Sequence, residues 1–350
     1  MPTHLASTKR PPASDSRLAW RDAGLPYFAC HFALRQRFGR RVQKVSVDAG
    51  FTCPNVDGTV ATGGCTFCDN RSFSPSRRLP RAGIGGQIDQ SIARMRRRYA
   101  NCRDFLAYFQ PATNTYAPVD RLRVLYEEAL GHPQVIGLVI GTRPDCVPDE
   151  VLDLLEEMAM RSNTVAGACE PGAGLTAAGY RRTPYVAVEY GMQTMHDRSL
   201  DWMNRGHHHD AMVDAVERSR GRGFEIGAHT ILGLPGESHD EMLATARELG
   251  RLGVDAVKIH NLYCVRNTPL ADQVARGEVR LMERAEYVRT LVDFIERLPP
   301  TMIVDRISGD APPDYFIGPS WCLDKPAVKA AVYSEFASRG SCQGATTSIE

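Results

Sequence analysis

Long apolar stretches are missing from this chain. Its longest hydrophobic runs, such as Val135-Ile-Gly-Leu-Val-Ile140, fall far short of the roughly 20 residues a helix needs to cross a bilayer. The opening MPTHLASTKRPPASDSR lacks the apolar core of a secretory leader. The expected compartment is therefore the cytoplasm, with no membrane partner. Cysteine is sparse as well. Ten in 350 residues are too few for a disulfide scaffold, and clustered thiols in a reducing compartment point to metal or catalysis. Lysine is scarcer still, with 5 against 37 arginines. Glutamate is absent from residues 1–103, where 18 Lys and Arg face 6 Asp, a local charge of +12 within a chain of net +1. Such a basic half suits an anionic partner such as RNA. The simpler reading is a preference for arginine that leaves helix faces such as Arg94-Met-Arg-Arg-Arg98 basic. Internal repeats and low-complexity tracts are also lacking.

What is present suits a folded core. Hydrophobic residues make up 43% and charged residues 24%, enough for one large domain or two small ones. Residues 1–20, rich in Pro, Ser and Ala, read as a disordered tail. Beyond them, β-rich runs recur at Val45-Ser-Val47, Phe105 to Phe109, Val135 to Ile140, Tyr185 to Glu189, Phe224 to Leu234 and Asp255 to His260. Between them lie helical patterns near Ile84 to Tyr99, Val119 to Leu130, Pro148 to Met160, Asp210 to Arg220 and His239 to Leu252. Alternating strand and helix implies a parallel sheet, because each parallel crossover needs a connection of about that length. Six units predict an α/β fold of the partial (β/α)6, TIM-like barrel type over residues 21–300. Residues 163–184, rich in Gly and Ala, read as an inserted loop. Residues 301–350 form a C-terminal extension with a further strand candidate at Met302 to Ile307 and a helix near Pro326 to Ala337.

In barrels of this kind the chemistry sits on loops leaving the C-terminal ends of the strands. The loop that leaves the first strand carries Cys53, Cys65 and Cys68. Structural zinc takes four ligands, and no second C-x-x-C or H-x3-H pair completes the set. Iron–sulfur clusters also normally take four thiolates. A [4Fe–4S] cluster held by three would leave one iron open to a substrate or cosubstrate. Gly58, Gly63 and Gly64 allow tight turns and close backbone approach, and Phe67 can shield the sulfurs.

This loop, with its C-x-x-C ending, resembles the cluster motif of the radical S-adenosylmethionine (radical SAM) superfamily. Val188-Glu-Tyr-Gly-Met-Gln-Thr194 and Ile231-Leu-Gly-Leu-Pro-Gly-Glu237 resemble two further motifs of that superfamily, in the expected order. More narrowly, DAGFTCPN, GGCTFC, YFQ, GTRPDCVPD, NRGH, GLPGE and a late RIS and WC resemble the YhcC-like subfamily, relatives of the Elongator catalytic subunit. The similarity runs from about Arg35 to Trp321.

The resemblance implies that Cys53, Cys65 and Cys68 ligate three irons and that the fourth binds S-adenosylmethionine. A one-electron donor such as flavodoxin or ferredoxin then drives reductive cleavage to a 5′-deoxyadenosyl radical. By position, Glu189 and Gln193 correspond to ribose contacts, Arg205 to the arginine that pairs with the methionine carboxylate, and the backbone at Gly233 to an adenine contact. The superfamily's Gly-Gly-Glu-like tripeptide is replaced by Phe109-Gln110-Pro111-Ala112-Thr113, so Gln110 or Thr113 is expected to meet the methionine amino group. Gly141 stands where relatives carry an acidic residue. For the substrate side, Arg143, Asp145, Lys258 and His260 fall at strand ends facing the barrel mouth, with Arg143, Lys258 and His260 as catalytic candidates. Asp145 also reads as a helix cap. Cys146, Cys264 and Cys322 read as reactive thiols or as small buried hydrophobes. His207-His-His209 point in different directions on a helix and read as solvated. The substrate class, RNA or small molecule, stays open. The rival reading is a non-catalytic zinc or iron–sulfur module that interacts with RNA.

Overall fold

The computed structural model describes residues 16–74, 77, 82–161, 163, 164 and 181–347. The six predicted strands are present as β1 (Val42–Val47), β2 (Asp104–Phe109), β3 (Val135–Thr142), β4 (Tyr185–Gln193), β5 (Glu225–Leu232) and β6 (Ala256–Asn261). A seventh, β7 (Ile303–Arg306), comes from the C-terminal extension and pairs in parallel with β6. The barrel sheet therefore runs on past residue 300. Its strands stand side by side in chain order and every neighbouring pair is parallel. That order gives a curled, open half-barrel.

Helix α1 (Cys30–Phe38) precedes β1. The crossovers carry α2 (Ile84–Arg96), α3 (Val119–Leu130), α4 (Asp149–Met160), α5 (His209–Ser219), α6 (His239–Leu252) and α7 (Arg284–Glu296), and α8 (Lys325–Arg339) follows β7. Local sequence sets these bounds. α6 opens on a reciprocal capping box between Ser238 and Glu241 and stops where Gly253 turns left-handed. Its buried residues Met242, Leu243, Ala246 and Leu249 repeat at helical spacing, so one face packs on the sheet. All nine residues of β4 are buried, as expected for a parallel strand covered on both faces. Among the described residues no helix is long and apolar enough to cross a membrane.

Of the tail expected over 1–20, residues 1–15 lie outside the described residues, but 16–20 are ordered. Ser16–Leu18 and Ala19–Asp22 are helical turns. Trp20 is fully buried and donates its indole N–H to the Pro300 carbonyl at 3.0 Å. One aromatic with a paired polar tip outweighs the polar composition around it. Most of the inserted loop expected over 163–184 lies outside the described residues; its stems at Asn163–Thr164 and Arg181–Arg182 pair antiparallel. In the extension, buried Gln343 accepts from Phe28 N at 2.8 Å and donates to the Met302 carbonyl at 2.8 Å, tying both ends of the chain to the β7 edge.

Alternate strand residues point into the barrel. Its lower interior is apolar, with Val42, Leu106, Val139 and Ala187 packed against Leu34 of α1. The next layer is ionic. Glu189 of β4 accepts from Lys44 of β1 at 2.8 Å, from Lys258 of β6 at 2.5 Å and from His229 of β5 at 2.8 Å. Asp305 of β7 meets Lys44 at 2.9 Å and Lys258 at 3.3 Å. Tyr108 of β2 accepts from Lys258 at 2.9 Å. Two cations thus answer two carboxylates. Burial alone would raise the pKa of Glu189, but Lys258, Lys44 and His229 carry it well below the usual range. Burial lowers that of Lys258. The Lys44–Asp305 pair also spans the open seam between β1 and β7.

Removing one partner from such a buried set leaves an uncompensated charge. Glu189→Gln is expected to destabilise the fold by about 3–5 kcal/mol, read from urea denaturation; an unchanged midpoint would mean the layer carries no weight. The histidines set a pH dependence. Burial, then Lys258, hold His229 low; burial, then Arg306, hold His260 well below the histidine range. The unfolded chain restores both to about 6.5, so below that pH it binds protons that the folded chain refuses. Stability is expected to be level above about pH 7 and to fall between about pH 6.5 and 5. Denaturation midpoints measured across that interval check the sign.

Candidate active site

The loop after β1 is built from tight turns. Cys53 O accepts from Val56 N at 2.7 Å and Cys68 N donates to Cys65 O at 2.9 Å, closing short turns at either end. A second turn, after the short helix Asp197–Trp202 that follows β4, clamps the loop. Asn204 Nδ2 donates to Gly64 O at 2.9 Å, Thr66 N to Met203 O at 2.9 Å, and Asn55 Nδ2 to Arg205 O at 2.8 Å. Gly206 is required there. Its φ is +70°, and a Cβ would stand 2.4 Å from Asn55 Oδ1 and 2.7 Å from Val60 Cγ1.

Arg205 is 7% exposed and reaches back to the same loop. It donates to the Gly191 carbonyl at 2.7 Å and to Cys65 Sγ at 3.5 Å. Gly191 makes that approach possible, because a Cβ would lie 2.4 Å from the guanidinium. Asn55 Nδ2 is a second donor to Cys65 Sγ, at 3.6 Å. Arg143, expected at the mouth, lines the central cavity and is 2% exposed. It grips Asp145 with two bonds of 2.9 and 2.7 Å and donates to the Arg205 carbonyl at 2.7 Å. Asp145 is thereby held below the usual carboxylate range, the hydrogen bonds from Arg143 outweighing its burial. Arg143 positions Arg205.

A cavity of about 610 Å³ is lined by Cys53, Cys65 and Cys68, by Phe67, Gln110, Glu189, Gln193 and Arg205, and by Arg143, Lys258 and His260, but not by Asp145 or Gly233. Gly233 turns away at φ +86°, packed so that a Cβ would meet Met282 Sδ at 2.8 Å. Gln193 lines the wall in a left-handed conformation, φ +69°. Gln110 donates to Ser46 Oγ at 3.1 Å. Burial raises the Cys68 thiol, and the charges of Cys65 and Cys53 raise it further, in opposition to its ionisation. Positive charge placed among them would relieve that opposition. The Nε of Arg205, the Nε2 of His260 and the Oδ1 of Asn114 are buried without partners among the described residues. Asn114 is fully buried, its amide fixed by a 2.8 Å bond to the Gly141 carbonyl. Thr113 lines the cavity too.

Asn114, Tyr108, Tyr263 and Arg306 line the cavity without having been singled out from sequence. Strand alternation alone flags Tyr108, two residues before Gln110. The remaining candidates go elsewhere. Cys264 is buried in an apolar cluster with Leu270 and Val279. Burial pushes the thiols of Cys264 and Cys322 up to about 11 and that of Cys146 up to about 12, as suits small hydrophobes. His208 meets Asp201 at 2.9 Å and His209 meets Glu248 at 2.7 Å, on separate partners. Among the described residues no three His, Cys, Asp or Glu side chains converge to hold a single metal ion. A polynuclear cluster, whose thiolates stand further apart, makes a different demand.

The family model described as Radical SAM superfamily matches residues 175–249, and that of the Radical_SAM C-terminal domain matches 254–338. The uncharacterized protein YtqA of Bacillus subtilis is 37% identical over 91% of this chain and 92% of its own length. The chain belongs to the radical SAM superfamily. Protein YhcC of Escherichia coli is 36% identical over 83% of this chain and 86% of its own. The tRNA uridine(34) acetyltransferase of Methanocaldococcus jannaschii is 25% identical over 80% of this radical SAM chain, which spans 54% of that protein. Among solved structures, the archaeal Methanocaldococcus infernus Elp3 with an N-terminal deletion superposes with a TM-score of 0.59 at 18% identity, over 86% of this chain and 64% of that one. That similarity is one of fold.

The clamp on the cysteine loop makes a checkable demand. Gly206→Ala is expected to loosen the loop, seen as faster proteolysis within residues 50–68 and a lower Tm. Gly221→Ala, at φ +81° with open space around it, carries the backbone strain alone. A Gly206→Ala chain no more labile than Gly221→Ala would show that the turn does not hold the loop.

Proposed function

We propose that this chain is a radical SAM enzyme in which Cys53, Cys65 and Cys68 hold a [4Fe–4S] cluster with one iron open to S-adenosylmethionine. The observation that carries this reading is the arrangement, around one cavity, of three free thiols and a guanidinium, Arg205, that has no carboxylate partner among the described residues and an unpaired buried Nε. When bound, the cluster and its cosubstrate supply one-electron reductive cleavage of the sulfonium and, from it, hydrogen abstraction.

The chain's own residues bind, orient and exclude water. Arg205 offers its free N–H to the methionine carboxylate, and the unpaired Oδ1 of Asn114 accepts from the amino group, beside Thr113 and Gln110. Glu189 already accepts from Lys44, Lys258 and His229, so the ribose contact falls to Gln193. Phe67 covers the sulfurs. Lys258 and Arg143 act as positioning residues. His260, kept neutral, offers its free Nε2 for proton transfer with the substrate. Electrons come from a protein donor such as flavodoxin or ferredoxin. The substrate is an RNA or a small molecule; RNA is favoured by the tRNA-modifying relative and by the basic first hundred residues.

Anaerobically reconstituted protein is expected to be brown, to hold close to four irons, and to release 5′-deoxyadenosine with dithionite and S-adenosylmethionine. Colourless protein inert to the cosubstrate would end this reading. Cys65→Ala is expected to abolish cluster assembly while leaving the fold intact by circular dichroism, and a Cys65→Ala protein with the full iron content would refute the ligand assignment.

A further inference from the structure

A second cavity, of about 480 Å³, opens on the seam between β1 and β7 and shares Tyr108, Gln110, Lys258 and Arg306 with the central one. Its lining contains Lys44, Lys258, Lys325 and Lys329. These are all the lysines among the described residues, in a chain that otherwise uses arginine for positive charge. Arginine and lysine are not equivalent. Both bind phosphate oxygens, lysine as a compact point charge on a flexible stem and arginine through a planar fork. A coding preference for arginine would scatter the few lysines; here they gather at one opening.

The charges at that opening do not cancel. Lys44 and Lys258 are engaged with Glu189 and Asp305, and Lys325 meets Asp310 at 2.8 Å. Lys329, one turn along α8 from Lys325, has only the Tyr333 ring, at 5.1 Å. Neither Lys329 nor Arg306 has a carboxylate partner among the described residues, and both are exposed. The surroundings register the excess. His31, also in the lining, is held below its ordinary pKa by burial, then by Lys329 and Arg41. The mouth is therefore a positive entrance whose inner end is a wall of the central cavity.

We infer that the seam cavity binds a phosphate group of the substrate between Lys329, Lys325 and Arg306, while the rest of that molecule reaches past Gln110 and Arg306, on the rim the two cavities share, into the central cavity. This rests on the reading of the central cavity as the reaction chamber, and it narrows the substrate to a nucleotide-like phosphate ester, free or within an RNA strand. Phosphate contacts made by cations weaken steeply with salt.

The test measures binding of three probes to the reconstituted protein: nucleoside 5′-monophosphates, the same nucleosides without phosphate, and a short single-stranded RNA. At least one phosphorylated probe is expected to bind tenfold or more tightly than the nucleosides. The double variant Lys329→Gln/Lys325→Gln, at two exposed residues that line only the seam cavity, is expected to weaken that binding by at least tenfold and, for RNA, to reduce the slope of log K against log salt by about 1.4, two contacts' worth for a single strand. Lys329→Arg should retain binding, and Arg97→Gln, at an exposed arginine of the basic half, should not change it. Binding of monophosphates alone assigns the site to a free nucleotide; binding of RNA alone assigns it to a strand. Equal binding of nucleosides and their phosphates, an unaffected double variant, or an equal loss in Arg97→Gln would overturn the inference. Iron content and 5′-deoxyadenosine release without substrate are read on the same samples and should not differ between the variants and the parent, so a failed phosphate site is distinguishable from a failed enzyme reading.

Discussion

The carboxylate of Glu189 sits in the middle of an otherwise apolar barrel and is tolerable there only because Lys44, Lys258 and His229 donate to it from three other strands. With Asp305 and Tyr108 the layer draws on six of the seven strands. The remaining strand, β3, contributes Gly141, where a Cβ would come to 3.4 Å from the Phe109 carbonyl and 3.7 Å from the Tyr108 hydroxyl. Desolvating four charges is costly, and good mutual geometry is what offsets the cost. The layer therefore fixes the relative height of the strands, and everything above it inherits that register. It separates the packed base of the barrel from the cavity at the strand ends.

The upper half follows the opposite rule. Arg205 is oriented by neutral groups, the Gly191 carbonyl and the Cys65 sulfur, and its own carbonyl is held by Arg143 and Asn55. Two guanidiniums thus lie close together, one neutralised by Asp145 and the other not. The floor is balanced and the roof carries an unbalanced positive charge. An anion entering the cavity meets counter-charge at Arg205 and, on the wall shared with the seam cavity, at Arg306.

The order of strands and helices was legible because short β-rich apolar runs mark β2 to β6 and period-3.6 patterns mark α2 to α6. The cysteine loop was legible because its spacing is unusual. What was hidden depends on packing across sequence-distant elements. Lys258 and Arg143 read as mouth-facing charges because a strand end looks reactive in one dimension; their partners, Glu189 and Asp145, become apparent only when the sheet curls. Asn114 was hidden because its amide nitrogen is fixed, and its Oδ1 left unpaired, only when the segment from Gln110 folds against Gly141. Trp20 was masked by its Pro- and Ser-rich neighbours, and β7 was read as part of an extension because nothing in Ile303–Arg306 says which edge it will join.

The loop bearing Cys53, Cys65 and Cys68 takes its shape from Asn204, Met203 and Arg205, through hydrogen bonds to main-chain atoms and to Asn55. None of those bonds runs through a thiol. Under the proposed reading the loop is therefore framed independently of the cluster, and loss of the cluster would leave the frame in place to receive another.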